Sequence, residues 1–137
     1  MILTDTGFWL ALLNRRDQNH TRAKLALERC LPPFVTTWPV LTETCHLALR
    51  LGVDVEIGFL EAIDRGAVTM FDLGPPHLPR IVALMKKYRD LPMDLADASL
   101  VIAAEDLRSG DILSTDDRDF RTYRWKSHKP FRNLLLG

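Results

Sequence analysis

Two cysteines in 137 residues are too few for a disulfide framework, and Cys30 and Cys45 stand in helix-like apolar patterns without CxxC or Cys/His spacing. Neither a structural zinc site nor an oxidised scaffold is expected, and both thiols read as buried and free. No apolar run approaches the roughly 18 residues of a membrane span, and the opening MILTDT has no charged leader with a small-residue cleavage site. A cytoplasmic chain without membrane contact is expected. Excess charge is missing as well. The 18 Lys and Arg balance 18 Asp and Glu, so net charge gives no argument for a polyanionic partner. There is also no GxGxxG and no GxxxxGK[ST] loop, which counts against a nucleotide-binding module.

What is present is an alternation of short β-branched or apolar runs with longer segments of helical period, the pattern of a parallel sheet covered by helices. The length fits one domain over residues 1–137, without repeats or linkers. Strands are expected at Ile2 to Thr4, Phe34 to Thr37, Ala67 to Leu73 and Asp111 to Thr115. Helices are expected at Gly7 to Asn14, His20 to Cys30, Thr37 or Trp38 to about Leu51, Asp54 to Gly66, Pro75 to Tyr88 and Asp94 to Arg108. The last eighteen residues favour neither period. Residues 118–132 hold six basic residues against Asp119 alone, leaving 12 basic and 17 acidic for the rest. A solvated surface and phosphate binding both fit such a tail, and solvation is the ordinary role of Arg15, Arg16, Lys86 and Lys87.

The positions of the acids carry the chemistry. Asp5 follows the first strand and Asp116 follows the last, and the crevice outside the carboxyl ends of parallel strands is where open α/β sheets bind ligands. Capping a helix is the competing role for each. Glu43 lies beside the apolar stripe of Val40, Leu47 and Leu51, while Asp97 has Leu100, Val101 and Ala104 at i+3, i+4 and i+7. Asp94 lies one turn earlier on the same side. Acids on a core-facing side need partners, either a cation of the chain or a bound one.

Two carboxylates about 4 Å apart repel by roughly 4 kcal/mol at an effective dielectric of 20. A bound divalent cation reverses that penalty. An all-carboxylate set without a His or Cys cluster suits Mg²⁺ or Mn²⁺ rather than Zn²⁺. Such an ion with nearby carboxylates is suited to activating water against a phosphodiester.

The segments ILTDTGFWLALLN, TTWPVLTETCHLAL, DLPMDLADASLVIAA and ILSTDDRDF, in that order, resemble the PIN-domain family, particularly its VapC-like toxins. The resemblance spans nearly the whole chain. It implies a three-layer α/β/α fold with a central mainly parallel sheet and an Mg²⁺- or Mn²⁺-dependent endoribonuclease. It also implies a homodimer neutralised by a small antitoxin protein, with RNA as substrate. By position, Asp5 and Asp97 match the principal metal ligands, with Glu43 and Asp116 completing the shell and Asp94 a further candidate. Thr6 and Thr115 match the place of hydroxyl helpers, although turn and cap roles are commoner for both; Arg118 is a weak candidate for substrate contact. Asp117 and Asp119 compete with Asp116 for the inward position. Asp116 is preferred because it follows the strand directly and keeps the family's four-residue step to Phe120, itself expected to pack and anchor the loop.

Two other readings stand beside this one. A phosphatase with Asp5 as nucleophile would need a second Asp that DTGFW lacks, and a matching Lys motif is missing. A non-catalytic scaffold of the same fold is the other, since fold alone does not imply activity; buried carboxylates without partners argue against it.

Overall fold

The structure, a computed structural model, describes Met1–Leu136. Gly137, the last residue of the expected domain, lies outside the described residues.

A parallel sheet forms the centre. Strands β1 (Ile2–Thr4), β2 (Phe34–Thr36), β3 (Thr69–Met70), β4 (Asp111–Leu113) and β7 (Arg132–Asn133) hydrogen-bond in the order β3-β2-β1-β4-β7, every pair parallel. All three residues of β1 and of β2 are buried. Because successive strand side chains point to opposite faces, burial of every position means that both faces are covered, as expected for a three-layer fold. The cover is α1 (Thr6–Leu13), α2 (His20–Arg29), α3 (Trp38–Ala48), α4 (Val53–Asp64), α5 (Leu78–Lys87), α6 (Leu95–Leu107) and α7 (Asp117–Thr122). Of these α6 is the central one, with every residue from Ala98 to Ala104 buried. A small antiparallel pair, β5 (Arg124–Trp125) and β6 (Lys129–Pro130), precedes the edge strand.

The helices begin where their caps dictate. Asp5, Thr37, Asp94 and Asp116 each accept the backbone N–H three residues on, satisfying one orphan donor of α1, α3, α6 and α7. The expected helix to Leu51 tightens into a 3-10 turn at Leu49–Leu51 and stops at Gly52, whose φ of +137° suits glycine alone.

Three strands are shorter than expected. Thr37 leaves β2 to cap α3, and Ser114 and Thr115 turn out of β4 towards α7. The run Ala67 to Leu73 contributes only Thr69–Met70, since β3 is an edge strand and Leu73 bonds locally to the Phe71 carbonyl. The two cysteines are free but half-buried rather than buried, and no disulfide joins them. Among the described residues no helix is long and apolar enough to cross a membrane.

Candidate active site

The two central strands deliver two of the acids. Register pairs Leu3 with Ile112 and Thr4 with Leu113, so the next residues of each strand, Asp5 and Ser114, leave the sheet side by side. Thr4 Oγ1 donates to the Val35 carbonyl at 3.0 Å and Thr36 Oγ1 to the Thr4 carbonyl at 3.1 Å, which fixes the end of β1 against β2. The Trp9 indole N–H returns to Thr4 Oγ1 at 3.0 Å and holds α1 over that end.

Helices supply the rest. The hydroxyls of Thr37 and Ser99 hydrogen-bond and join the start of α3 to α6, so Glu43 and Asp97 come to one place from two helices. Asp94 caps α6 through the Asp97 N–H at 2.8 Å. The tail contributes from the other side: Asn133 on β7 clamps Ser114, accepting its N–H at 3.3 Å and donating to its carbonyl at 2.9 Å.

These elements enclose a cavity of about 340 Å³. Its wall includes Asp5, Glu43, Asp94, Asp97 and Asp116, together with Asp119, Thr6 and Thr115. Cap and cavity roles, set against each other in the sequence, coincide: Asp5, Asp94 and Asp116 use one carboxylate oxygen as an N-cap and still line the cavity. Of the three acids after β4, Asp116 and Asp119 face inward, and Asp117 pairs with Arg121 at 2.6 Å instead. Arg118 is not among the lining residues; its exposed guanidinium reaches Asp119 at 3.3 Å. Phe120 is buried and meets Tyr123 and Phe131 edge-on at 5.2 and 5.3 Å, anchoring the loop.

Sequence reasoning missed Ser114 and Tyr123. Ser114 Oγ donates to Asp5 Oδ2 and accepts the Asp116 N–H at 2.9 Å, tying two acids through one hydroxyl. The buried Tyr123 donates its O–H to Asp97 Oδ2 at 3.0 Å. A hydroxyl at the carboxyl end of β4 was visible as Ser114, but its partner depends on register. Gly7 was also missed: a Cβ there would stand 1.8 Å from Thr115 Oγ1, so α1 approaches the loop as closely as only glycine allows.

The electrostatics follow from that crowding. Burial pushes the Asp5 carboxyl up to about 6, against the lowering effect of the Ser114 and Phe8 hydrogen bonds, with the charges of Asp116 and Glu43 adding to the rise. Asp97 is raised to about 7 by burial and by the Asp94 charge, partly offset by the Tyr123 hydrogen bond. Asp116 is raised too, by burial and by contact with Asp119. The same burial and negative charge push the Tyr123 phenol above its ordinary value, so it stays a donor.

A hard divalent cation fits these donors. The wall offers carboxylate oxygens without His or Cys, and Thr6 Oγ1 is buried in it without a hydrogen-bond partner. Among the described residues no three His, Cys, Asp or Glu side chains stand close enough together to hold a metal ion as placed, so these acids are candidate donors rather than an assembled centre.

Comparison with known proteins adds the relatives. Residues 2–126 match the family described as PIN domain. Ribonuclease VapC26 of Mycobacterium tuberculosis (strain ATCC 25618 / H37Rv) is 27% identical over 124 residues, covering 90% of this chain and 92% of that protein. The crystal structure of Mycobacterium tuberculosis VapC20, a Sarcin-Ricin loop cleaving toxin, aligns with a TM-score of 0.79 at 22% identity. It covers 86% of this chain and 92% of the other, a likeness of fold.

Proposed function

The chain belongs to the PIN domain family, and from that premise we propose that it is an endoribonuclease using Mg²⁺ or Mn²⁺ to hydrolyse RNA phosphodiester bonds, acting in the cytoplasm as the toxin of a toxin–antitoxin pair. The observation that carries the reading is that six carboxylates line one cavity at the carboxyl ends of β1 and β4. A relative named as a ribonuclease supports RNA as the substrate class.

Asp5 and Asp97 are the principal ligands in this reading. Each of their oxygens retains a lone pair beside the hydrogen bonds to Ser114, Phe8 or Tyr123. Glu43 and Asp116 complete the shell directly or through water, with Asp94 a further candidate for it. When bound, the cation polarises a phosphoryl oxygen and makes a water more acidic. Glu43 and Asp116 would orient a water in line with the phosphorus and take its proton as the new P–O bond forms and the bond to the leaving oxygen breaks, the leaving oxygen taking a proton from solvent. Thr6, with its free hydroxyl, and Thr115 donate to phosphate oxygens.

A homodimer and a small antitoxin belong to the same reading. The exposed Ile57 and Leu60 on α4 support contact with a second chain, whereas Leu12 and Leu13 pack on the core. The test is cleavage of a mixed single-stranded and structured RNA pool in Mg²⁺, Mn²⁺ or EDTA, beside folded Asp5→Asn and Asp97→Asn variants. Metal-dependent cutting lost in both supports the assignment. Cutting that is absent in wild type, or equal in the variants, overturns it.

A further inference from the structure

An open apolar groove of about 630 Å³ adjoins the acidic cavity and shares Glu43, Asp94 and Ala96 with it. Its other walls include Trp38, His46 and Leu95. Trp38 stands at the first position of α3 and is 59% exposed, while Trp9 and Trp125 are 7% and 8% exposed. It is the one exposed aromatic side chain among the described residues, and Leu95, 46% exposed, stands in the same groove. Holding so much apolar surface in water beside a row of carboxylates has no packing benefit.

Charge says what belongs there. The carboxylates of the cavity wall repel phosphates wherever a cation does not intervene. Directly beside the acids, uncharged contacts hold a strand without that repulsion. A nucleobase is neutral, flat and apolar on its faces, and stacking on an indole is the sequence-tolerant way to hold one.

Resting on the ribonuclease reading, we infer that Trp38 is the stacking platform for an unpaired base adjoining the scissile phosphate, with Leu95 as a further apolar contact in the same groove. Bases inside a duplex cannot reach it, so the platform selects single-stranded positions. Trp38 is a positioning residue here and takes no part in the bond-breaking step.

The experiment pairs intrinsic fluorescence with kinetics on the full chain. A short single-stranded RNA of mixed sequence, added with Ca²⁺ in place of Mg²⁺, is expected to quench the wild-type emission, and the same strand made abasic or paired into a duplex is not. The quench disappears in Trp38→Phe, which leaves only the buried indoles. In Mg²⁺, Trp38→Ala raises KM for the single strand about tenfold, the size expected for one lost stack. KM rises more than kcat falls, Trp38→Phe restores KM to within about threefold, and the melting temperature does not move. An abasic strand that quenches equally, or an unchanged KM in Trp38→Ala, overturns the platform while leaving the nuclease intact. Quenching without any metal-dependent cutting overturns the nuclease and leaves the platform. Trp38→Ala that breaks a dimer in sedimentation with KM unmoved makes the face a contact between copies and overturns the proposal.

Discussion

Ser114 and Asp5 meet because β1 and β4 run in parallel with Thr4 opposite Leu113, so the next side chains off each strand are a hydroxyl and a carboxylate. The hydroxyl also accepts the Asp116 N–H, and thus sets the spacing of two acids. Ser114→Ala removes a bond that lowers the Asp5 pKa and leaves the buried Asp5 oxygen and the half-buried Asp116 N–H without that partner. A stability loss of about 1–3 kcal/mol in denaturant titration and weaker Mn²⁺ binding are expected. Unchanged Mn²⁺ affinity would detach Ser114 from the site.

Raised carboxyl pKa values make a signed prediction for stability. The folded Asp97, at about 7, keeps a proton that the unfolded chain releases near its ordinary 3.8. Its contribution is complete below about pH 4 and is lost as pH rises through about 7. In EDTA, Asp97→Asn should melt higher than wild type by roughly 3–8 °C at pH 7.5, and the gap should close near pH 4. Added Mn²⁺ should raise wild type alone. A gap independent of pH would mean that Asp97 is not held near neutrality.

Gly7 and Thr115 form a steric pair. A Cβ on Gly7 lies 1.8 Å from Thr115 Oγ1 and 3.1 Å from Thr115 Cβ, so Gly7→Ala forces the threonine to turn and drags the loop that carries Asp116. The expected cost is about 1–3 kcal/mol, with a larger proportional loss of cleavage. Removing Oγ1 with Thr115→Ala should recover much of the stability in the double variant, a coupling readable in a double-mutant cycle. Additive losses would place the effect elsewhere.

Much of this site was legible in the sequence because Asp5, Glu43, Asp97 and Asp116 each stand beside a periodic element, and period places a side chain on a face. Register and capping are not periodic. Asp119 faces inward because it is the third residue of a helix capped by Asp116, and Asp117 turns out to Arg121 one helical turn on. The last eighteen residues read as ambiguous for a related reason. They hold two-residue strands too short to show alternation, yet Asn133 within them clamps Ser114, and Phe120, Tyr123 and Leu135 enter the core. Tertiary contact alone defines that segment.

Tyr123 shows how such a segment reaches the chemistry. Its ring is buried edge-on against Tyr88 at 5.0 Å and Phe120 at 5.2 Å, and the Tyr88 hydroxyl accepts the Arg124 N–H at 2.9 Å. The ring position is therefore set by packing, and its O–H is aimed at Asp97 by that packing rather than by the carboxylate. Tyr123→Phe should keep the fold, at a cost of about 1 kcal/mol for the lost bond. The bond favours ionised Asp97, so removing it raises the Asp97 pKa further. The acid limb of the cleavage pH profile should then move upward, with full activity regained at higher pH. A profile that loses height at every pH without moving would mean that Tyr123 serves packing alone. Tyr123→Ala, which empties the ring's place, should cost about 3–5 kcal/mol and test that packing separately.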